Sequence, residues 1–274
     1  MIAATESVVV RFGDRTALDG VSIDVPAGQV VALVGGDGAG KSTLLRTFVG
    51  EVLPDSGTVH APGKHEIGFL CAGPGSWAAL TVRQNMDFVG GIYGLSGNEL
   101  AERREELIDR AGLGDAADRL ASALSGGMRR KLGTAMAMLH RPKMLILDEP
   151  STGVDPVSRI DLWRLISEAA ADGAAVVMST TYLDEAERAG HLVVLDSGRI
   201  LTQGSYDEVR AGFTGAITSA ADPVRPEWSW RRGRERHEYW EDGHPGTDAA
   251  TITPDLEDIV IALSLTRRRE VGAS

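Results

Sequence analysis

The sequence predicts an α/β fold built on a mainly parallel sheet, with an antiparallel β subdomain, a helical insert and a small C-terminal subdomain. Three observations carry this reading. Val30 to Val34 is an unbroken apolar run, as in strands covered on both faces, and it passes directly into Gly35-Gly36-Asp37-Gly38-Ala39-Gly40-Lys41-Ser42-Thr43. Met144 to Leu147 is a second such run, and it ends in Asp148-Glu149. Strands and helical stretches alternate around both, the pattern of parallel strands joined by crossover helices.

Taken in chain order, Ser7 to Phe12 and then Val21, Ile23 and Val25 alternate apolar with polar residues and close on Pro26-Ala27-Gly28, which predicts antiparallel strands and a turn. Beyond the glycine-rich stretch, Leu44, Leu45, Phe48 and Val49 recur at helical spacing. A strand follows at Ile67 to Cys71. Thr81 to Gly112 then carries helix formers with Leu100, Leu107 and Ile108 as an apolar stripe, which predicts a helical insert over about 81–140. Further helices are expected after Leu124-Ser125-Gly126-Gly127 and from Pro156 to about Ala171, with a strand at Ala175 to Met178. Leu192 to Leu195 and Arg199 to Thr202, joined at Asp196-Ser197-Gly198, read as a hairpin, and this part is expected to run over 1–212. From Phe213 the composition changes: Ala220 to Gly246 is rich in Pro, Gly, Arg and Trp, and Thr251 to Thr266 reads as a short helix after Pro254. That predicts a small appended subdomain over 213–274.

The 274 residues are 43% hydrophobic and 24% charged, the balance of a folded globular chain rather than a disordered one. A net charge of −11 argues against a nucleic-acid partner, which needs surplus Lys and Arg to displace counterions. No apolar stretch reaches the roughly 18 residues of a membrane span, and Met1 to Val10 lacks the pattern of a signal peptide, so a cytoplasmic protein is expected. The single cysteine, Cys71, fits a reducing compartment. His60, His65, His140, His191, His237 and His244 show no metal-ligand spacing. Trp228, Trp230, Tyr239 and Trp240 alternate with arginines, but Glu227, Glu235, Glu238, Glu241 and Asp242 neutralise the stretch, so a solvated face with a few packed aromatics is expected.

Gly35 to Ser42 matches G-x-x-x-x-G-K-[ST] between a buried strand and a helix, which is the context a phosphate-binding loop requires. Glycines let successive backbone N–H groups turn inward around an anion, and the helix N-terminus adds its positive dipole end. Lys41 would supply charge to the β- and γ-phosphates, and the Ser42 hydroxyl would ligate Mg²⁺. Asp148 and Glu149 stand at the carboxyl end of a buried strand, where open α/β sheets bind ligands; Asp148 suits the Mg²⁺ shell, and Glu149 could act as general base on the attacking water.

With these residues in place, the chain resembles, over about residues 5–210, the nucleotide-binding subunits of ABC transporters, a P-loop NTPase family. Leu124-Ser125-Gly126-Gly127-Met128 is similar to the family's signature motif, Ser151-Thr152-Gly153-Val154-Asp155-Pro156 to its D-loop, and Phe12 stands where the family stacks an aromatic on adenine. The resemblance implies an ATPase that binds ATP and Mg²⁺ through Phe12, Gly36, Asp37, Gly38, Ala39, Gly40, Lys41, Ser42 and Thr43, with Asp148 on the metal and Glu149 and Lys41 as catalytic groups. It also implies head-to-tail dimers in which Ser125, Gly126 and Gly127 of one chain complete the site of the other. The insert, including the helix Glu99 to Arg110, would face the membrane subunit.

Two positions depart from the family pattern. In Ile67-Gly68-Phe69-Leu70-Cys71-Ala72-Gly73-Pro74, Ala72 stands where a glutamine normally touches Mg²⁺ and the attacking water. Thr181 stands where a histidine normally contacts the γ-phosphate. With the tail Pro254-Asp255-Leu256-Glu257-Asp258, these make the chain similar to the degenerate ATPase half of tandem-ATPase ABC-2 type exporters. That resemblance implies ATP binding with slow hydrolysis, a second and competent ABC ATPase subunit as heterodimer partner, an ABC-2 type transmembrane permease, and a place on the inner face of a bacterial membrane. The alternatives are a self-sufficient homodimer, a non-hydrolysing regulatory subunit, and a soluble ATP-dependent machine of the same superfamily.

Overall fold

The computed structural model describes residues 1–73, 75–245 and 250–272, so Pro74 and Gly246, with which two stretches above end, lie outside it. The chain forms two compact units, Met1–Arg199 and Ile200–Ser274.

The first unit opens with β1 (Ala3–Phe12) and β2 (Arg15–Val25), which pair antiparallel. Val21, Ile23 and Val25 are buried as their alternation predicts. After β3 (Val30–Val34), α1 (Lys41–Phe48) follows with Leu44, Leu45 and Phe48 on its buried side. Next, β4 (Ser56–His60) joins the first two strands in a sheet of order β2-β1-β4. The strand β5 (Ile67–Leu70) leads to the insert, α2 (Val82–Ile92), α3 (Gly97–Arg110) and α4 (Gly126–Met138). Thr81 starts α2 with a reciprocal cap: its hydroxyl accepts from the Gln84 main-chain N–H at 3.2 Å, and the Gln84 side-chain Oε1 accepts from the Thr81 N–H at 2.9 Å.

The remaining elements of the first unit are β6 (Met144–Asp148), α5 (Pro156–Ala171), β7 (Ala175–Thr180), α6 (Leu183–Ala186) and β8 (His191–Asp196). α5 starts where Asp155 accepts from the N–H groups of Val157 and Ser158, with Pro156 in the first turn, whose missing donor costs nothing there. The strands that the first unit gives to the second sheet run β5-β6-β7-β3-β8, and these neighbours are parallel. Every residue of β3, β6 and β7 is buried, which explains the apolar runs Val30–Val34, Met144–Leu147 and Ala175–Met178, while the polar residues that end β6 and β7 are buried with them. Because β7 lies between β6 and β3, the carboxyl ends of three adjacent strands come together on one edge.

The second unit includes β9 (Arg199–Gly204), α7 (Tyr206–Gly212), β10 (Ala216–Ala220), β11 (Ser229–Arg232), β12 (Glu235–Trp240), β13 (Ala250–Ile252) and α8 (Leu256–Gly272). Its sheet has the order β11-β12-β10-β13. The Trp- and Arg-rich stretch carries packed aromatics beside solvated arginines, as its composition suggested: Trp228 and Tyr239 pack with Ile217 and Ala262, while Arg231 and Arg234 are exposed. On the other face of β12, Glu238 is buried where Arg225 pairs with it at 3.1 Å and stacks over Trp240 at 3.6 Å. One sequence expectation changes here: the short helix after Pro254 is longer than its apolar face suggested, ending at Gly272.

Candidate nucleotide site

The site grows from those three strand ends. β3 delivers Gly35 to Gly40, and the last glycine is dictated by space as well as by conformation: Gly40 has φ +109°, and a Cβ there would fall 2.7 Å from the Ala17 carbonyl oxygen. Lys41 begins α1 and is 5% exposed; its Nζ donates to the carbonyls of Gly35 at 2.7 Å and Gly36 at 3.0 Å. An ammonium has three donors, so this bent-back posture leaves one for an anion lying in the loop.

β6 ends in Asp148, 1% exposed. Its Oδ1 accepts from the Ser42 hydroxyl at 3.0 Å and from the Ser179 hydroxyl at 2.7 Å. The Ser179 oxygen in turn accepts the Glu149 N–H at 2.8 Å. Glu149 has φ +50°, a left-handed conformation that costs a non-glycine residue about 1–2 kcal/mol. Ser179 holds its backbone, and the Thr152 hydroxyl donates to its Oε2 at 3.1 Å. Sequence reasoning missed Ser179. The available signal was a hydroxyl ending the apolar run of β7, opposite Asp148 in the parallel register.

A second missed residue lies just behind. Glu185 is 4% exposed and its Oε2 accepts from the hydroxyls of Ser151 and Thr180, each at 2.7 Å. One buried carboxylate therefore ties the turn after Glu149 to the strand end before Thr181.

Of these groups, Lys41, Ser42 and Glu149 line a cavity of about 380 Å³, together with Phe12, Arg15, Ala17, Asp37 to Gly40 and Thr43. The Phe12 ring is 55% exposed at the end of β1, and so is available for stacking rather than spent in the core. Arg15, which sequence reasoning also passed over, brings a cation to the wall. The Ser42 hydroxyl and the Asp148 carboxylate are hard oxygen donors 3.0 Å apart, a fit for Mg²⁺ shared with phosphate oxygens.

A phosphate loop opening a helix, an Asp-Glu pair on a neighbouring strand end and a serine-capped glycine pair at the start of α4 occur together here. The chain belongs to the ABC transporter ATP-binding family. The family model described as ABC transporter matches residues 18–152. The chain is 37% identical over 221 residues to the daunorubicin/doxorubicin resistance ATP-binding protein DrrA of Streptomyces peucetius, covering 76% of this chain and 67% of that one. It is 34% identical over 219 residues to the Nod factor export ATP-binding protein I of Ralstonia nicotianae, covering 76% and 68%. A solved ATP binding subunit of an ABC transporter superposes with a TM-score of 0.71 at 28% identity, covering 78% of this chain and 93% of that one. This chain is accordingly the ATP-binding subunit of an ABC transporter, built on the ABC ATPase fold.

The signature residues lie apart from that cavity. Ser125 caps α4, accepting from the Met128 N–H at 3.2 Å. Gly126 lines a separate cavity of about 350 Å³ with Ala72, Arg129, Arg130 and Thr152. Gly127 packs against Ser158 and Val154 at the start of α5, where a Cβ would come 3.0 Å from the Ser158 side chain. Ala72 and Thr181 are both exposed, and their side chains are a methyl group and a short hydroxyl-bearing group.

Proposed function

We propose that this subunit powers a bacterial exporter as the degenerate half of an ATPase heterodimer, at the inner face of the membrane. One observation carries the reading: the phosphate side of the site is complete, while the two positions that would hold water and the γ-phosphate are Ala72 and Thr181. ATP lies with its adenine against Phe12 and its phosphates in the loop 36–43, with Lys41 directed at the β- and γ-phosphates. Ser42 and Asp148 would hold Mg²⁺, which when bound neutralises charge on the phosphate oxygens. Glu149 orients the attacking water through its carboxylate. Alanine cannot help position that water, and a threonine hydroxyl is short and never cationic, so hydrolysis is slow while binding is full.

Ser125 and the N–H groups of Gly126 and Gly127 form an anion site at a helix start that lacks its own lysine and metal ligands. They complete the site of the partner ATPase. An ABC-2 type permease docks on the helical insert, where Trp77, Phe88 and Ile92 are exposed and Trp77 meets Phe88 edge-on at 4.5 Å. The names of the DrrA and Nod factor relatives support export as the direction of transport. Retention of Glu149 favours a second reading, a homodimer that turns over by itself.

The test is steady-state ATPase activity and ATP-driven dimerisation of the purified chain beside Glu149→Gln. Tight ATP binding with turnover near that of Glu149→Gln is expected. Robust turnover abolished by Glu149→Gln would establish the homodimeric motor instead.

A further inference from the structure

The segment between β5 and α2 is pinned at both ends. At its far end, the fully buried Asn85 side chain donates to the carbonyls of Trp77, Leu80 and Thr81 at 3.1, 3.2 and 2.8 Å and accepts from the Trp77 N–H at 2.8 Å. At its near end the holder is Arg130, on α4. Its Nη2 donates to the Ala72 carbonyl at 2.6 Å, and its Nη1 to the carbonyls of Gly73 at 2.7 Å and Cys71 at 3.3 Å.

Three successive carbonyls thus converge on one guanidinium. Its rigid fork makes such a clamp directional, and its charge makes each bond stronger than a neutral one. Burial weakens the guanidinium's hold on its proton, and the nearby carboxylates of Glu149 and Asp148 oppose that. Arg130 therefore sits within electrostatic reach of the acid pair, although its hydrogen-bond partners are main-chain oxygens. The loop it holds is the one whose family glutamine is here an alanine, ending at Cβ. The Ala72 side chain offers nothing with which to register the loop on a nucleotide.

We propose that Arg130 is a positioning residue that locks the loop 71–73 to α4, so that a displacement of this loop is delivered to the signature end of α4 rather than to the chain's own nucleotide. This rests on the reading of the chain as a half that lends Ser125, Gly126 and Gly127 to a partner. Arg130 stands about one helical turn from that end, and the helix between is continuous from Gly126. A push arriving from the exposed Trp77 region therefore reaches the borrowed signature through one side chain and one turn of helix.

The experiment uses the full chain with a nitroxide on Cys71, the single and exposed cysteine, together with hydrogen–deuterium exchange. In the parent the label is restricted, and Mg²⁺–ATP leaves its spectrum unchanged. In Arg130→Gln the label becomes several-fold more mobile, and exchange rises together over residues 70–73 and 125–130 but not over 36–43. Arg130→Lys, which keeps the charge and part of the clamp, falls between them. ATP affinity, read with a fluorescent analogue, stays within about twofold, as for a site that does not touch the nucleotide. The proposal is overturned if the label in both variants stays as restricted as in the parent. It is equally overturned if exchange rises in the loop alone, if Mg²⁺–ATP by itself restricts the label, or if ATP affinity falls in step with mobility. The label reads the loop whether or not ATP is hydrolysed, so these failures are separate from a finding of high intrinsic turnover.

Discussion

Two parts of one nucleotide site are built to different standards. In the phosphate-loop half, Lys41 is held on the Gly35 and Gly36 carbonyls at 2.7 and 3.0 Å, Ser42 and Ser179 both donate to Asp148 at 3.0 and 2.7 Å, and Lys41, Asp148 and Ser179 are buried. On the side where water would attack, Ala72 and Thr181 are exposed and short. The Ala72 loop is held by Arg130, which donates to the Ala72 carbonyl at 2.6 Å. Holding a polyanion needs fixed N–H groups and one cation, whereas cleaving it also needs groups aimed at a water and at developing charge. The proposed function is that of a chain that keeps the first set and lacks the second.

The largest expected effect tests the complete side. Lys41→Ala removes charge-assisted bonds worth about 1.5–3 kcal/mol each, so ATP affinity should fall by about 100-fold, measured by titration with a fluorescent nucleotide. An unchanged affinity would dissolve the contrast at once. Next comes the stripped side: Ala72→Gln combined with Thr181→His should raise turnover by about 10²-fold, in line with the value of one group aimed at a transition state, with little change in ATP affinity. A double variant as slow as the parent would place the deficit elsewhere.

A smaller effect tests the relay between the two carboxylates. Ser179→Ala strips a donor from Asp148 and leaves the Glu149 N–H without its acceptor, a loss of about 1–3 kcal/mol in a urea titration, accompanied by weaker Mg²⁺–ATP binding. Wild-type stability in that variant would mean the hydroxyl is ornamental. The smallest concerns Asp155 at the start of α5, whose carboxyl is held below the usual aspartate range first by the backbone N–H of Ser158. A carboxylate with a lowered folded pKa contributes stability that is present above its unfolded value and lost as pH falls through the folded one. Amides in the first turn of α5 should therefore lose exchange protection below the ordinary aspartate range, and Asp155→Ala should show that reduced protection at neutral pH.

How much of the site was readable differs residue by residue. Lys41, Ser42, Asp148 and Glu149 are adjacent in sequence to buried strands, so local pattern and chemistry pointed to them directly. Ser179 and Glu185 were not, because their roles exist only once β7 lies between β6 and β3 and α6 folds back beneath it. Arg130 looked like one more surface arginine beside the signature, since nothing local ties it to carbonyls 57–59 residues earlier in the chain. In the second unit the packed aromatics near Trp228 were visible, but the burial of Glu238 on the opposite face of β12 was not, because its partner Arg225 lies 13 residues earlier in the chain.

By itself the sequence determined the parallel strands, the phosphate loop and the acid pair, because each is a property of a few neighbouring residues: apolar runs, glycine spacing, two acids closing a strand. Tertiary structure alone decided which hydroxyls brace the acids, that the exposed ring of Phe12 faces a cavity, and that the loop of Ala72 hangs on Arg130. Those are long-range pairings, and a hydrogen bond between residues far apart in the chain leaves no local trace until the sheet has set their distance.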